Sequence, residues 1–335
     1  MIDLYLLLVL VGVLLVLAIY FVFNGCVQSE HMTAEQHTHT PTHTHTRPPL
    51  WAYWELKPGK TSPPPYIVLC LETIRRNCAS TYDVRILNEI SVRDYLPDLR
   101  TDIDQLGLAM KADYIRVALL HRYGGVWLDA DTIAITDLRE IRDKLADYDY
   151  VGFGCTGLIC HTGYPRPSNW AMGSRRHGLL MGKVLVALDQ KLDDHFATPP
   201  AERRPIGYFD LGKVILWDTL EKLMSETNYT YYHFPATVDG SRDVDGRWVT
   251  PDLIFSGDRH LMAPSELILV FLANNIYCGS DPKYNWFCTL RREEILTGPY
   301  FISGLFRRAL GLGAGSAESA GSVTSAESAG SAESA

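Results

Sequence analysis

The chain reads as an α/β protein organised around a nucleotide-binding half-domain, and three observations predict it. A strand–helix–strand succession opens the globular part between Leu50 and Leu87, an order that points to a parallel sheet with a crossover helix. The stretch Ala112–Thr132, ADYIRVALLHRYGGVWLDADT, passes from a helix through a Gly pair into a short apolar strand that ends in two Asp. Apolar residues are 47% of the 335 and charged residues 21%, which is enough apolar material for a sizeable core. The formal net charge of −8, with no Lys/Arg stripe, argues against a nucleic-acid surface.

In chain order, Leu4–Phe23 carries no charged residue and is long enough to span a bilayer as a helix. It lacks the basic start and short apolar region of a cleaved signal peptide, so residues 1–26 read as an uncleaved transmembrane signal anchor. The first Lys or Arg is Arg47, which leaves the positive-inside rule little to act on. Residues 27–49, with HTHTPTHTHT at His37–Thr46, read as a disordered His/Thr/Pro stem rather than a metal-chelating tag.

A catalytic domain is expected over residues 50–310. Leu50–Leu56 predicts a first buried strand, Tyr66–Asn77 a helix behind the proline-rich loop Ser62–Pro65, and Tyr82–Leu87 a second strand. Thr101–Asp104 reads as the N-cap that launches the helix bearing Asp113 and Arg116. Those two side chains stand three apart on one helix face; the simplest structural role for them is a surface ion pair. Gly124 supplies the left-handed conformation a helix C-cap requires. Val126–Leu128 predicts a buried strand, and a period of two sends Asp129 and Asp131 to the same side at its exit. Two carboxylates aimed one way repel unless a counter-charge intervenes, and Mn²⁺ or Mg²⁺, which prefer oxygen ligands, would resolve the repulsion. The ends of strands are also where α/β sheets bind nucleotides. Further on, Tyr148–Phe153 predicts a strand, Ser168–Ser174 a segment before a helix at Leu179–Leu192, and Ile206–Leu223 a loop entering an amphipathic helix. Residues 311–335, repeats of Ser-Ala-Glu-Ser-Ala with Gly spacers, read as a disordered tail.

Seven Cys are present, none in a CxxC pair, so a zinc site is not expected. Cys155/Cys160 and Cys278/Cys288 could form disulfides in a luminal domain or stay as core thiols. Asn228-Tyr229-Thr230 is a glycosylation sequon if the domain is luminal.

The run Ala112-Asp113-Tyr114-Ile115-Arg116, then Leu120-His121-Arg122-Tyr123-Gly124-Gly125-Val126-Trp127-Leu128-Asp129, resembles the sugar-binding region of DxD-motif glycosyltransferases. More narrowly, it is similar to the capsular polysaccharide synthesis proteins and the yeast-type initiating α-mannosyltransferases. Trp51–Trp54 and Pro65–Cys70 echo the opening of that family, and Tyr208–Gly212 its second half. The resemblance implies a GT-A-like, Rossmann-like nucleotide-diphospho-sugar transferase domain behind the transmembrane helix. It implies a hexosyltransferase that moves a hexose from a UDP- or GDP-sugar to a glycan or glycolipid acceptor, with retention of configuration. Catalytic roles then fall on Asp113, Arg116, Asp129 and Asp131, with metal on Asp129 and Asp131. Donor contacts fall on Tyr53 or Trp54 as a base-stacking aromatic, and on Gly124, Gly125, Asn169 and Asp210. A third metal ligand is expected from residues 233–300, where Asp252, Asp258, His260 and Asn285 are open choices, and Lys283–Trp286 is expected near the diphosphate. The resemblance also implies a type II membrane protein with a luminal, Golgi-like catalytic domain. Two other readings compete. A glycoside hydrolase would need its two carboxyls to face each other across the bond about 5–5.5 Å apart, which neighbours on one strand edge do not. A catalytically inactive GT-A-fold protein that binds a sugar nucleotide or glycan would keep the same residues.

Overall fold

A computed structural model describes residues 47–154, 166–235, 238–240, 242, 249–255, 266–274, 278 and 283–312. The apolar run, residues 27–46 of the His/Thr stem, Cys26, Cys155, Cys160, Asp258, His260 and the tail beyond Leu312 lie outside them, while Pro49, at the end of the expected stem, already belongs to the first strand. Among the described residues no helix is long and apolar enough to cross a membrane.

The protein is mixed α/β with a six-stranded central sheet. Strand β1 (Pro49–Tyr53), helix α1 (Pro65–Cys78) and strand β2 (Asp83–Leu87) form the expected crossover, with β1 and β2 parallel. Pro65 opens α1 at a position where its missing N–H is not needed. Helix α2 (Leu108–Tyr123) leads to β3 (Gly125–Leu128), which lies parallel to β1 on its other side. The turn after β3 feeds β4 (Thr132–Ala134), then α3 (Arg139–Asp147) and β5 (Tyr150–Phe153). Strand β6 (Ser168–Ser174) inserts antiparallel between β3 and β5. Helices α4 (Leu179–Ala197) and α5 (Ile215–Glu226) follow, then β7 (Tyr232–His233), β8 (Leu269–Phe271), α6 (Arg292–Thr297) and α7 (Phe301–Ala309). The sheet order is β2-β1-β3-β6-β5-β7, while β4 and β8 pair antiparallel as a separate ribbon.

Alternation along β1 and β3 divides the core. Leu50, Ala52, Val126 and Leu128 pack with α1, β4 and α7 on one face. Trp51, Tyr53 and Trp127 pack with α2, α4 and α5 on the other. The chain runs from β1 out to β2 and then back to β3 on β1's far side. The carboxyl ends of β1 and β3 therefore flank the topological switch point, where open α/β sheets bind ligands.

Three local expectations are corrected. Thr101 does not cap α2: Asp102–Gln105 is a separate 3₁₀ turn, Leu106 and Gly107 are extended, and α2 starts at Leu108. Asp104 is held instead by Lys111 at 2.7 Å and Arg93 at 3.1 Å, so its carboxylate does not cap a helix. Ser168–Ser174, expected only as a segment before a helix, is a central strand. Asp129 and Asp131 belong to a turn closed by the Thr132 N–H donating to the Asp129 carbonyl at 3.1 Å, rather than to a straight extension of β3.

Of the Cys pairs, Cys278 and Cys288 are joined by a disulfide, with Cα atoms 5.5 Å apart. Cys70 and Cys78 are buried free thiols; burial raises both, Cys78 to about 12, so neither is a thiolate nucleophile at neutral pH.

Candidate active site

Four charged side chains meet at the switch point. Asp113 and Arg116 sit one turn apart on α2 and are 6% and 4% exposed, so they are not a surface ion pair. Arg116 Nη2 lies 3.2 Å from Asp113 Oδ1 and 3.1 Å from Asp129 Oδ1, and Nη1 donates to the Asn169 carbonyl. Its guanidinium stacks 5.2 Å from the centre of the Trp127 ring. Trp127 Nε1 also donates to Asp129 Oδ1 at 2.8 Å, and Asn169 Nδ2 donates to Asp113 Oδ1 at 2.7 Å. One oxygen of each of these two carboxylates is thus fixed by the scaffold. Asp129 Oδ2 keeps no hydrogen bond among the described residues.

Asp131, 6% exposed, takes the backbone N–H of Asn274 on Oδ2 at 2.5 Å. The Asn274 side-chain oxygen accepts from Tyr66, which ties the segment after β8 to α1. Burial pushes Asp131 up to about 7, reinforced by the nearby Asp129 charge. It pushes Asp113 up to about 7 as well, against the pull of Arg116. Asp129 is also raised by burial, opposed by Arg116 and the Trp127 hydrogen bond. Arg116 pairs directly with Asp113 and Asp129 and reaches Asp131 only through its charge, so protons or a cation would relieve the crowded carboxylates.

These groups line a cavity of about 710 Å³, a volume suited to a small-molecule ligand. Tyr53, Trp54, Lys57, Tyr208, Phe209, Gly212, Lys213 and Asn274 line it too. Trp54 Nε1 is buried without a hydrogen-bond partner, a donor left for something other than the described protein atoms. Burial lowers Lys213, whose ammonium lies 3.6 Å over the Phe209 ring, and no carboxylate pairs with it.

The structure brings Asp113, Arg116, Asp129, Asp131, Tyr53, Trp54 and Asn169 together around this cavity. It does not bring Gly124, Gly125 or Asp210 there. Gly124 and Gly125 stand at the opposite end of β3 with φ of 68° and 93°; a Cβ on Gly125 would fall on the Pro49 carbonyl oxygen. They let α2 and β3 pass close to neighbouring backbone. Asp210 Oδ2 accepts the Gly207 N–H at 2.9 Å and closes its own turn. Asp252 is held by Lys283 and Tyr284, and neither Asp252, Lys283 nor Asn285 lines the cavity.

Sequence reading missed Asn274, Tyr208, Phe209, Gly212 and Lys213 as site residues. Gly212 is required in the fold, since a Cβ there would collide with Asn169 Nδ2 and meet Asp113 Oδ2 at 2.7 Å, and its place in the run Tyr208–Gly212 was its one signal in the sequence. Asn274 had none.

A divalent cation fits the donor set in kind, since all the free acidic ligands are hard carboxylate oxygens. Among the described residues no three His, Cys, Asp or Glu side chains form a metal cage. Asp129 and Asp131 would therefore hold an ion jointly with oxygens of a ligand or water, as Mg²⁺ bound with phosphates is commonly held.

The acidic cluster lies at the switch point, the place where open α/β sheets bind ligands. The family resemblance carried by Ala112–Asp129 is shown over residues 24–184, which match the model described as "Capsular polysaccharide synthesis protein". Over 148 residues the chain is 28% identical to the O-glycosyltransferase PaGT of Phomopsis amygdali, covering 39% of this chain. The chain spans 36% of the length of that relative. Several solved structures that partly superimpose on it are described as glycosyltransferases. The galactosyltransferase LgtC gives a TM-score of 0.40 at 8% identity, covering 79% of this chain and 96% of that one. A glycosyltransferase involved in glycosylation of the PBCV-1 major capsid gives 0.39 at 12%, covering 72% and 100%. The PaToxG glycosyltransferase gives 0.37 at 12%, covering 55% and 72%.

Proposed function

We propose that this protein is a metal-dependent glycosyltransferase that moves a hexose from a UDP- or GDP-sugar to a glycan or glycolipid acceptor. The observation that carries the reading is the cluster itself, buried Asp113, Asp131 and Arg116 with half-buried Asp129 at the switch-point cavity. The family match over residues 24–184 and the glycosyltransferase relative support it.

In this reading Asp129 and Asp131 hold Mn²⁺ or Mg²⁺. The cation, when bound, stabilises the negative charge on the departing nucleoside diphosphate as a Lewis acid. Asp113, held by Asn169 and Arg116, accepts hydrogen bonds from donor hydroxyls. Arg116 orients Asp113 and Asp129 through one guanidinium. Lys213, without a carboxylate partner, offers its ammonium to phosphate oxygen. Trp54 offers its ring face to the base and its unpaired N–H to an acceptor atom on it. The apolar run Leu4–Phe23 and the Thr/Pro/His stem support a type II membrane protein with its catalytic domain in a Golgi-like lumen. The Cys278–Cys288 disulfide accords with an oxidising compartment.

A screen of UDP- and GDP-sugars for nucleoside diphosphate release tests the reading, run with Mn²⁺ or EDTA and beside Asp131→Asn. Release with Mn²⁺, lost in EDTA and in the variant, is expected. Release indifferent to both would remove the Asp pair from the mechanism. Metal-dependent donor binding with no turnover, even with acceptors present, would favour an inactive binding protein.

A further inference from the structure

A second cavity, of about 330 Å³, is lined by Leu106 and Gly107 before α2, Met110 in its first turn, and Arg203, Arg204 and Ile206 from the loop before the π-helical turn Asp210–Val214. The two cavities share these elements: Leu108 and Ala109 line the first, and Tyr208 and Phe209 follow two residues after Ile206. Tyr208 and Phe209 are each 50% exposed, and their rings meet edge to face with centroids 4.9 Å apart. Both line the first cavity, and Lys213 covers one face of the Phe209 ring, so Tyr208 is the aromatic left for a sugar ring to stack on.

The second cavity is basic in an acidic chain. Its lining includes two arginines and His195 and no carboxylate. Arg203 is braced by neutral groups only: Nε donates to the Thr198 carbonyl at 3.3 Å and Nη2 to the Phe196 carbonyl at 3.3 Å, with the guanidinium 5.1 Å over the Phe196 ring. Nη1 makes no hydrogen bond among the described residues, and neither does any nitrogen of the exposed Arg204. Burial, with Arg203 and Lys191 nearby, holds His195 below its ordinary value, as a positive local potential requires. Arg85, Arg100, Arg116 and Arg122 pair with carboxylates, whereas Arg203 and Arg204 have no ion pair among the described residues. Two adjacent guanidiniums left without a counter-ion, one of them pre-braced, make an anion receptor with planar forks suited to carboxylate or phosphate.

We propose that the Arg203/Arg204 cavity is a subsite for an anionic group on the acceptor glycan, reached from the Asp cluster past Tyr208. The acceptor is thereby an acidic saccharide, carrying a uronic carboxylate or a sugar phosphate, rather than a neutral one. This rests on the transferase reading above.

Direct titration of the full chain with methyl glucuronide, methyl glucoside 6-phosphate and methyl glucoside tests it, with Arg204→Gln as the variant because that side chain is exposed and makes no hydrogen bond or ion pair among the described residues. At least one charged glycoside is expected to bind about tenfold more tightly than the neutral one, a difference lost in Arg204→Gln while donor-dependent release of nucleoside diphosphate is unchanged. Preference for the glucuronide assigns the carboxylate, and preference for the phosphate assigns the phosphoryl group. Equal binding of all three, or a preference that survives in Arg204→Gln, overturns the subsite. Inorganic phosphate that binds as tightly as the sugar phosphate also overturns it, since the site would then hold a free anion. Absence of donor turnover would sink the transferase reading and leave the titration to be judged by itself.

Discussion

At the residue scale the site depends on Arg116, which serves Asp113 and Asp129 at once while stacking on Trp127. Arg116→Ala leaves buried carboxylates without their counter-charge, and we expect a loss of about 3–5 kcal/mol in urea unfolding. Arg116→Lys recovers only part, because an ammonium cannot reproduce the planar fork. Equal stability of Arg116→Ala and wild type would mean the cluster is neutral in the folded protein. The raised carboxylates also set a pH dependence. In metal-free protein Asp113 and Asp131 titrate near 7, whereas in the unfolded chain they titrate near the ordinary 3.8. Between those values the folded state holds more protons, so these two groups make stability fall as pH rises from about 4 to 7. Asp131→Asn removes part of that slope. In EDTA at pH 8 the variant should be more stable than wild type by on the order of 1–2 kcal/mol, a shift of a few degrees in Tm. Thermal melts at pH 5 and pH 8 check it; a variant that melts below wild type at pH 8 contradicts the strained carboxylate.

At the element scale, the helix, Gly pair and strand of residues 112–128 were legible because their signals are local: an i, i+3 pair, a left-handed cap and an apolar run. The functional meaning of the Gly pair was not. Gly125 approaches Pro49 only after β3 has docked beside β1, a pairing no local signal announces. Gly125→Ala is therefore expected to cost about 2 kcal/mol or more of stability, through positive φ and the Pro49 clash, while the donor KM of whatever folds stays unchanged. A raised donor KM at full stability would return Gly125 to the donor site. Strand β6 was read as a prelude to a helix because Ser-Asn-Trp-Ala-Met-Gly-Ser lacks β-branched residues; its strand state comes from being paired on both edges, by β3 and β5. Asn274 was illegible for a similar reason. It reaches Asp131 because β8 pairs with β4, which is distant in sequence. Trp54 follows β1 directly, and position alone suggested it. Trp54→Ala should raise the donor KM about tenfold with a smaller effect on kcat, and Trp54→Phe should restore most of the difference. An unchanged KM in Trp54→Ala would make the residue plain core.

At the scale of the whole molecule, the fold gathers charge that the chain spreads out. β1 ends in aromatics, β3 ends in carboxylates, and α2 crosses beneath with one more carboxylate and the single guanidinium. The sheet order makes those ends adjacent at the one place where strand direction leaves a crevice. The central claim is that the resulting excess of negative charge is completed by a divalent cation together with a nucleoside diphosphate. A calorimetric titration of Mn²⁺ at pH 7.5 into wild type and Asp131→Asn, each with and without UDP or GDP, tests this most directly. Wild type should bind Mn²⁺ with the nucleotide present, release protons as the raised carboxylates ionise, and lose at least about tenfold in affinity on substitution. Equal Mn²⁺ affinity in wild type and Asp131→Asn, with no proton release, would contradict the claim.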